Sequence, residues 1–199
     1  MWLPEYPRKE PGLTHRDGEV LLDLAEASIR HGLRKGSPPA IGTSDLADAL
    51  RLPRATFVTL RLGSALRGCI GSVKPKRPLA EDVSHSAYSA AFNDPRFPPL
   101  CPEEYPELSI HLSVLSDLLA VDFTSQADLL SQVRENRDGL LLEIGPHRGL
   151  LLPSVWKDLP DKQQFLRHLK MKAGLQPDFW SDYLNIERFT TQTFSRRRE

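Results

Sequence analysis

The hexapeptide Leu66-Arg67-Gly68-Cys69-Ile70-Gly71 sets a thiol two residues from a guanidinium and flanks it with glycines. Side chains alternate along an extended strand, so Arg67 and Cys69 are expected on the same side. A cation beside a cysteine favours the thiolate, which is the nucleophilic form. Gly68 and Gly71 allow a ligand or a neighbouring strand to approach the main chain closely. Cys69 is therefore the candidate nucleophile and Arg67 the candidate stabiliser of negative charge, with Gly68 and Gly71 as substrate-binding backbone. The competing reading is a small side chain packed under a strand whose glycines mark a bulge.

A second group of candidates lies in Asp94-Pro95-Arg96-Phe97-Pro98-Pro99. Its prolines stiffen the chain and hold Asp94 and Arg96 in fixed directions, as a substrate-binding pocket wall requires. The same residues also suit a helix-stop loop in which Asp94 and Arg96 satisfy backbone groups and Phe97 plugs the core. A catalytic thiol usually needs a base. Of the six histidines, His111 is the best placed, between Ser109 and Ser113 on the polar side of an alternating run. It is the candidate base, although no spacing rule pairs it with Cys69, and each histidine taken alone also reads as a solvated or hydrogen-bonded side chain. His147 and Arg148 at a hairpin tip are further substrate-binding candidates. Lys74, Lys76 and Arg77 offer a local anion site or, more simply, solvated loop charge.

These residues need elements to position them. Apolar residues at helical spacing predict a helix over residues 17–33, ended by Gly32 or Gly36, and a short helix over 44–50. Residues 55–62 alternate as a strand, and Gly63-Ser64 is a two-residue hairpin turn, which places the hexapeptide on the returning strand. Pro78 opens a helix to Phe92. Residues 108–115 alternate cleanly, with Leu108, Ile110, Leu112 and Val114 on one face. Ser125 caps a helix carrying Leu129 and Val133. Leu140 to Ile144 and Leu150 to Leu152 form a hairpin around residues 145–149. Asp161 with Gln164 starts a helix that Gly174 ends. One last strand is expected over residues 183–194, followed by a frayed tail with the basic run Arg196 to Arg198. The pattern is α+β: a mainly antiparallel sheet with flanking helices, with room for a larger and a smaller lobe.

Composition narrows the function. The chain has 199 residues, enough for one sizeable core, and its 26 basic and 26 acidic residues cancel. No whole-molecule field draws it to nucleic acid or to an anionic membrane. No apolar run approaches the roughly 20 residues that span a bilayer, and the first ten residues lack the apolar centre of a signal peptide, so a cytoplasmic location is expected. Two cysteines, Cys69 and Cys101, disfavour a disulfide framework or a cysteine zinc site. Glycine-rich phosphate loops, GxGxxG, HExxH and GxSxG are all absent from the sequence. No cofactor and no metal is implied.

The hexapeptide closely resembles the signature of the AMMECR domain family, whose prokaryotic members are called AmmeMemoRadiSam system protein A. The resemblance extends to Phe57-Val58-Thr59-Leu60, to residues 90–100 and 108–115, to the segment from His147 to Pro153, and to Lys172-Ala173-Gly174-Leu175 and Trp180. It implies a single AMMECR-type domain with its core at about residues 15–195. It also implies a place beside a Memo-type protein and a radical-SAM protein. The reading that follows is a small enzyme or substrate-presenting component with a Cys69-centred cleft. The alternatives are a factor associated with nucleic acid in transcription, repair or translation, and a pure protein-interaction module.

Overall fold

Thr14 caps the first helix, α1 (His15–Lys35), by a reciprocal capping box with Asp17, and Gly36 ends it in the left-handed region at φ 68°. The computed structural model describes residues 12–197. The expectations for the first ten residues and for Arg198 lie outside these described residues. After α1 come α2 (Asp48–Arg51), β1 (Thr56–Leu62), β2 (Ala65–Gly71), α3 (Leu79–Phe92), a 3-10 turn (Pro102–Glu107) and β3 (Leu108–Leu115). The order continues with β4 (Leu119–Ala120), α4 (Gln126–Gln132), β5 (Gly139–Ile144), β6 (His147–Leu151), a second 3-10 turn (Pro153–Lys157), α5 (Lys162–Lys172), β7 (Asn185–Phe189) and β8 (Thr191–Arg196). The class is α+β, as the alternation and helical spacing predict.

The strands form two four-stranded sheets, ordered β2-β1-β3-β8 and β4-β7-β5-β6. The chain divides into two compact units, the first running to Val114 and completed from Gln192, the second being Leu115–Thr191. In the first unit, Val58, Leu60, Ile110 and Leu112 of the sheet are buried against Leu21, Ile29, Val83 and Ala87 of α1 and α3. Helix α3 packs close because Gly68 has no Cβ: one built there would stand 2.1 Å from the carbonyl oxygen of Ala90. In the second unit, Leu140, Leu142 and Ile186 pack on Phe165 and Leu169 of α5. Trp156 stacks on Phe165 at 3.9 Å between ring centres and donates its indole N–H to the carbonyl of Asp138.

Three expectations are corrected. The expected last strand is two strands in different sheets, β7 and β8, with Phe189 and Thr191 on either side of the break. Its end is not frayed: Arg196 lies in β8 and reaches Glu19, Asp23 and Glu26 of α1, a set of long-range ion pairs that local patterning does not reveal. The second hairpin turns on Gly145, at φ 53°, and Pro146, so β6 begins at His147 and both His147 and Arg148 are strand residues rather than tip residues.

Candidate functional site

Cys69 lies on β2, which is an edge strand of its sheet. Its free edge is not left open. The loop after α3 turns on a hydrogen bond from Phe97 N–H to the carbonyl of Asp94 and folds back against the strand. Asp94 Oδ2 accepts the Cys69 N–H at 2.8 Å, and Arg96 Nη2 donates to the Cys69 carbonyl at 3.2 Å. Two side chains thus replace the neighbouring strand at this residue and close an edge that would otherwise invite pairing. Asp94 and Arg96 are themselves joined by Nε to Oδ1 at 2.9 Å and Nη2 to Oδ2 at 2.6 Å, a bidentate pair.

The electrostatics follow from that pairing. Arg96 hydrogen bonds, helped by the Cys69 N–H, hold the Asp94 carboxyl well below the usual carboxylate range, although burial opposes this. Arg96 is in turn held charged, chiefly by Asp94 and in smaller part by Cys69. Asp94 is only 4 % exposed, whereas the Arg96 side chain is 54 % exposed. The Arg96 Nη1 group takes no part in the bonds to Asp94 and Cys69.

Arg67 behaves differently from the expectation of a same-side partner. Leu60 pairs with Gly68 but Arg61 pairs with Leu66, so Arg67 is the extra residue of a β-bulge and the period of two breaks between it and Cys69. The Arg67 guanidinium is turned to Glu104, with Nε to Oε1 at 2.6 Å and Nη2 to Oε2 at 2.9 Å. That pairing draws the Glu104 carboxyl down to about 2. Glu104 also accepts from the N–H and the thiol of Cys101, and this hydrogen-bonded carboxylate pushes the Cys101 thiol up. Phe97 stands near both guanidiniums, at 5.9 Å from Arg67 and 5.5 Å from Arg96. Arg96 therefore occupies the place beside Cys69 that the sequence pattern assigns to Arg67.

The next residues inward are Thr59 and His111. Thr59 pairs with Cys69 on one side and with His111 on the other, and its Oγ1 lies 3.3 Å from Cys69 Sγ. His111 is two strand spacings from Cys69, roughly 9–10 Å. The structure does not bring it into direct contact with the thiol. Burial, followed by Arg61 and Arg197, lowers the His111 pKa and favours its neutral form. Gly68 serves the contact with α3, and Gly71 the contact with β1, where a Cβ would meet the Thr56 carbonyl oxygen at 2.1 Å. His147 and Arg148 belong to the second unit, where His147 Nδ1 is 3.0 Å from the Ala173 carbonyl and Arg148 pairs with Glu143. Lys74 and Lys76 are exposed, and Arg77 lies 3.6 Å from Asp82.

Sequence reasoning did not single out Glu104 or Thr59 as site residues. Glu104 had a signal, since it lies three residues beyond Cys101 with Pro102 between, the spacing of a helix-start box. Thr59 had none, because the hairpin turn alone pairs it with Gly68. Among the described residues no helix is long and apolar enough to cross a membrane.

The AMMECR1 family model matches residues 22–194. A protein of Methanothermobacter thermautotrophicus is 41 % identical over 184 residues, covering 92 % of this chain and 95 % of that one. A protein of Methanocaldococcus jannaschii is 40 % identical over 186 residues, covering 92 % and 91 %. The crystal structure of an uncharacterised protein from Pyrococcus horikoshii superposes with a TM-score of 0.81 at 34 % identity, covering 89 % of this chain and 90 % of that one. On the family match over residues 22–194 and on these relatives, the chain belongs to the AMMECR1 family.

Proposed function

We propose that the protein is a small substrate-handling component in which Cys69 is the nucleophile, working with Memo-type and radical-SAM partners. The observation that carries this reading is the clamp: a thiol on a sheet edge, held through its own main chain by a buried aspartate and set beside a half-exposed guanidinium. The clamp by itself satisfies an edge strand; what gives it a functional meaning is that it sets a guanidinium beside a residue whose side chain is a thiol. The spent Cys69 N–H narrows the chemistry, because the nucleophile's own amide is not free to hold a developing oxyanion. The Arg96 guanidinium is the group left for that task.

The reaction that fits is reversible addition of the thiol to an electrophilic carbonyl. The sulfur-carbon bond forms as the carbonyl π pair moves to oxygen, and the proton released from sulfur ends on that oxygen. Arg96 balances the negative charge in between. Reversal of the same addition hands the carbonyl compound to a partner enzyme, so no oxidant, reductant or leaving group is required.

The test is complementation of a strain lacking the gene. Cys69→Ser is expected to fail and Cys101→Ser to succeed, with both chains folded as judged by thermal melting. In the wild-type protein, iodoacetamide is expected to modify Cys69 before Cys101 at neutral pH, since Glu104 holds Cys101 in the thiol form. Full complementation by Cys69→Ser would show that the function resides elsewhere.

A further inference from the structure

The clamp also fixes how Cys69 faces β1. Its main-chain N–H and carbonyl point outward to Asp94 and Arg96, so they are not shared with Thr59. The Thr59 and Cys69 pair is thus of the narrow kind, with α-carbons about 4.5 Å apart and side chains in contact. That accounts for the 3.3 Å separation of Thr59 Oγ1 and Cys69 Sγ. A β-branched side chain on a strand has few rotamers, so the hydroxyl stays where the register puts it. Thr59 is half-buried, which limits competition from water.

We propose that Thr59 is the positioning residue of this site: its hydroxyl donates to the Cys69 thiolate and holds the sulfur beside Arg96. The inference rests on the reading of Cys69 as a nucleophile and adds the device that aims it. A hydroxyl donating to sulfur favours thiolate, whereas one accepting from the thiol favours the neutral form, so the two cases have opposite signs. The other charged or titratable groups at the site are Asp94 and Arg96 on the loop, Arg61 on β1, His111 on β3, which pairs with Thr59, and Arg197 after β8, which acts on His111. None of these is altered by a change confined to the Thr59 hydroxyl.

The experiment uses the full chain carrying Cys101→Ser, which leaves Cys69 as the one thiol. Iodoacetamide alkylation is followed by mass spectrometry across a pH series for the parent and for Thr59→Val, Thr59→Ala and Thr59→Ser. The midpoint of the rate profile is expected to move to higher pH in Thr59→Val and in Thr59→Ala. Their rate at neutral pH is expected to fall about fivefold, the worth of one hydrogen bond, while Thr59→Ser stays with the parent. Thr59→Ala keeps the test open if Val disturbs packing, and circular dichroism at each pH confirms that the variants are folded before their midpoints are compared. An unchanged or lowered midpoint without the hydroxyl, or Thr59→Ser behaving like Thr59→Val, overturns the inference. A parent profile matching that of the unfolded chain instead defeats the nucleophile reading itself.

Discussion

Each unit contains a hairpin whose returning strand carries the same dipeptide, Arg67-Gly68 on β2 and Arg148-Gly149 on β6. Both glycines do the same work. A Cβ on Gly68 would meet the Ala90 carbonyl oxygen of α3 at 2.1 Å, and one on Gly149 would meet the Leu169 carbonyl oxygen of α5 at 2.6 Å. The residue that follows is Cys69 in one case and Leu150 in the other. The arginines also part ways: Arg67 is 7 % exposed and bidentate on Glu104, whereas the Arg148 side chain is 44 % exposed on its cross-strand neighbour Glu143. A glycine in such a strand therefore marks a helix pressed against it. What sets the first hairpin apart is the thiol, the loop that clamps it and the hydroxyl across from it.

If the glycines are equivalent packing devices, Gly68→Ala is the most damaging change, since its new methyl group meets backbone that cannot swing aside. A loss of about 3 kcal/mol is expected in denaturant unfolding, against about 2 kcal/mol for Gly149→Ala. A Gly68→Ala protein as stable as wild type would mean that the backbone of α3 yields to the methyl group and that the two glycines are not equivalent packing devices.

The clamp is the next difference to test. Asp94→Ala leaves the Cys69 N–H and the Arg96 guanidinium without their carboxylate and is expected to cost about 2 kcal/mol. Glu143→Ala at the corresponding surface pair should cost less than about 1 kcal/mol. Similar losses at the two sites, measured by urea titration, would remove the distinction between a built site and a surface ion pair.

Acid sharpens the contrast between the two arginines. Glu104 titrates at about 2 in the folded protein against an ordinary 4.5. Its folded value is depressed, so the Arg67 pair stabilises the fold above pH 4.5 and this contribution is lost as pH falls toward 2. Stability is expected to drop over that interval in the wild type and to drop less in Glu104→Gln, as followed by thermal melting at stepped pH. A slope unaffected by Glu104→Gln would mean that the pair contributes nothing. The smallest effect is expected for Arg148→Ala, within about 0.5 kcal/mol, because a solvent-screened pair is worth little.

Helix α1, the β1-β2 hairpin and the alternation of β3 were legible because their causes are local: apolar residues at helical spacing ended by a glycine, a Gly63-Ser64 turn, and side chains that alternate about a flat ribbon. Composition likewise placed the chain among neutral proteins, and among the described residues no helix is long and apolar enough to cross a membrane. The proline-rich loop announced its stiffness in the same way, though not what it holds. The arrangement of the site was decided in three dimensions. One extra residue in β2 moved Thr59 from Gly68 to Cys69 and turned Arg67 away from the thiol, and the bulge sits where α3 presses its Ala90 carbonyl onto the strand. Arg96 came to replace Arg67 because β2 is an edge whose main-chain groups needed partners, and the chain brought Asp94, 25 positions further on, back to supply them. Local sequence sets which groups are available. Register and edge satisfaction depend on what packs against the strand, and these are properties of the whole folded unit.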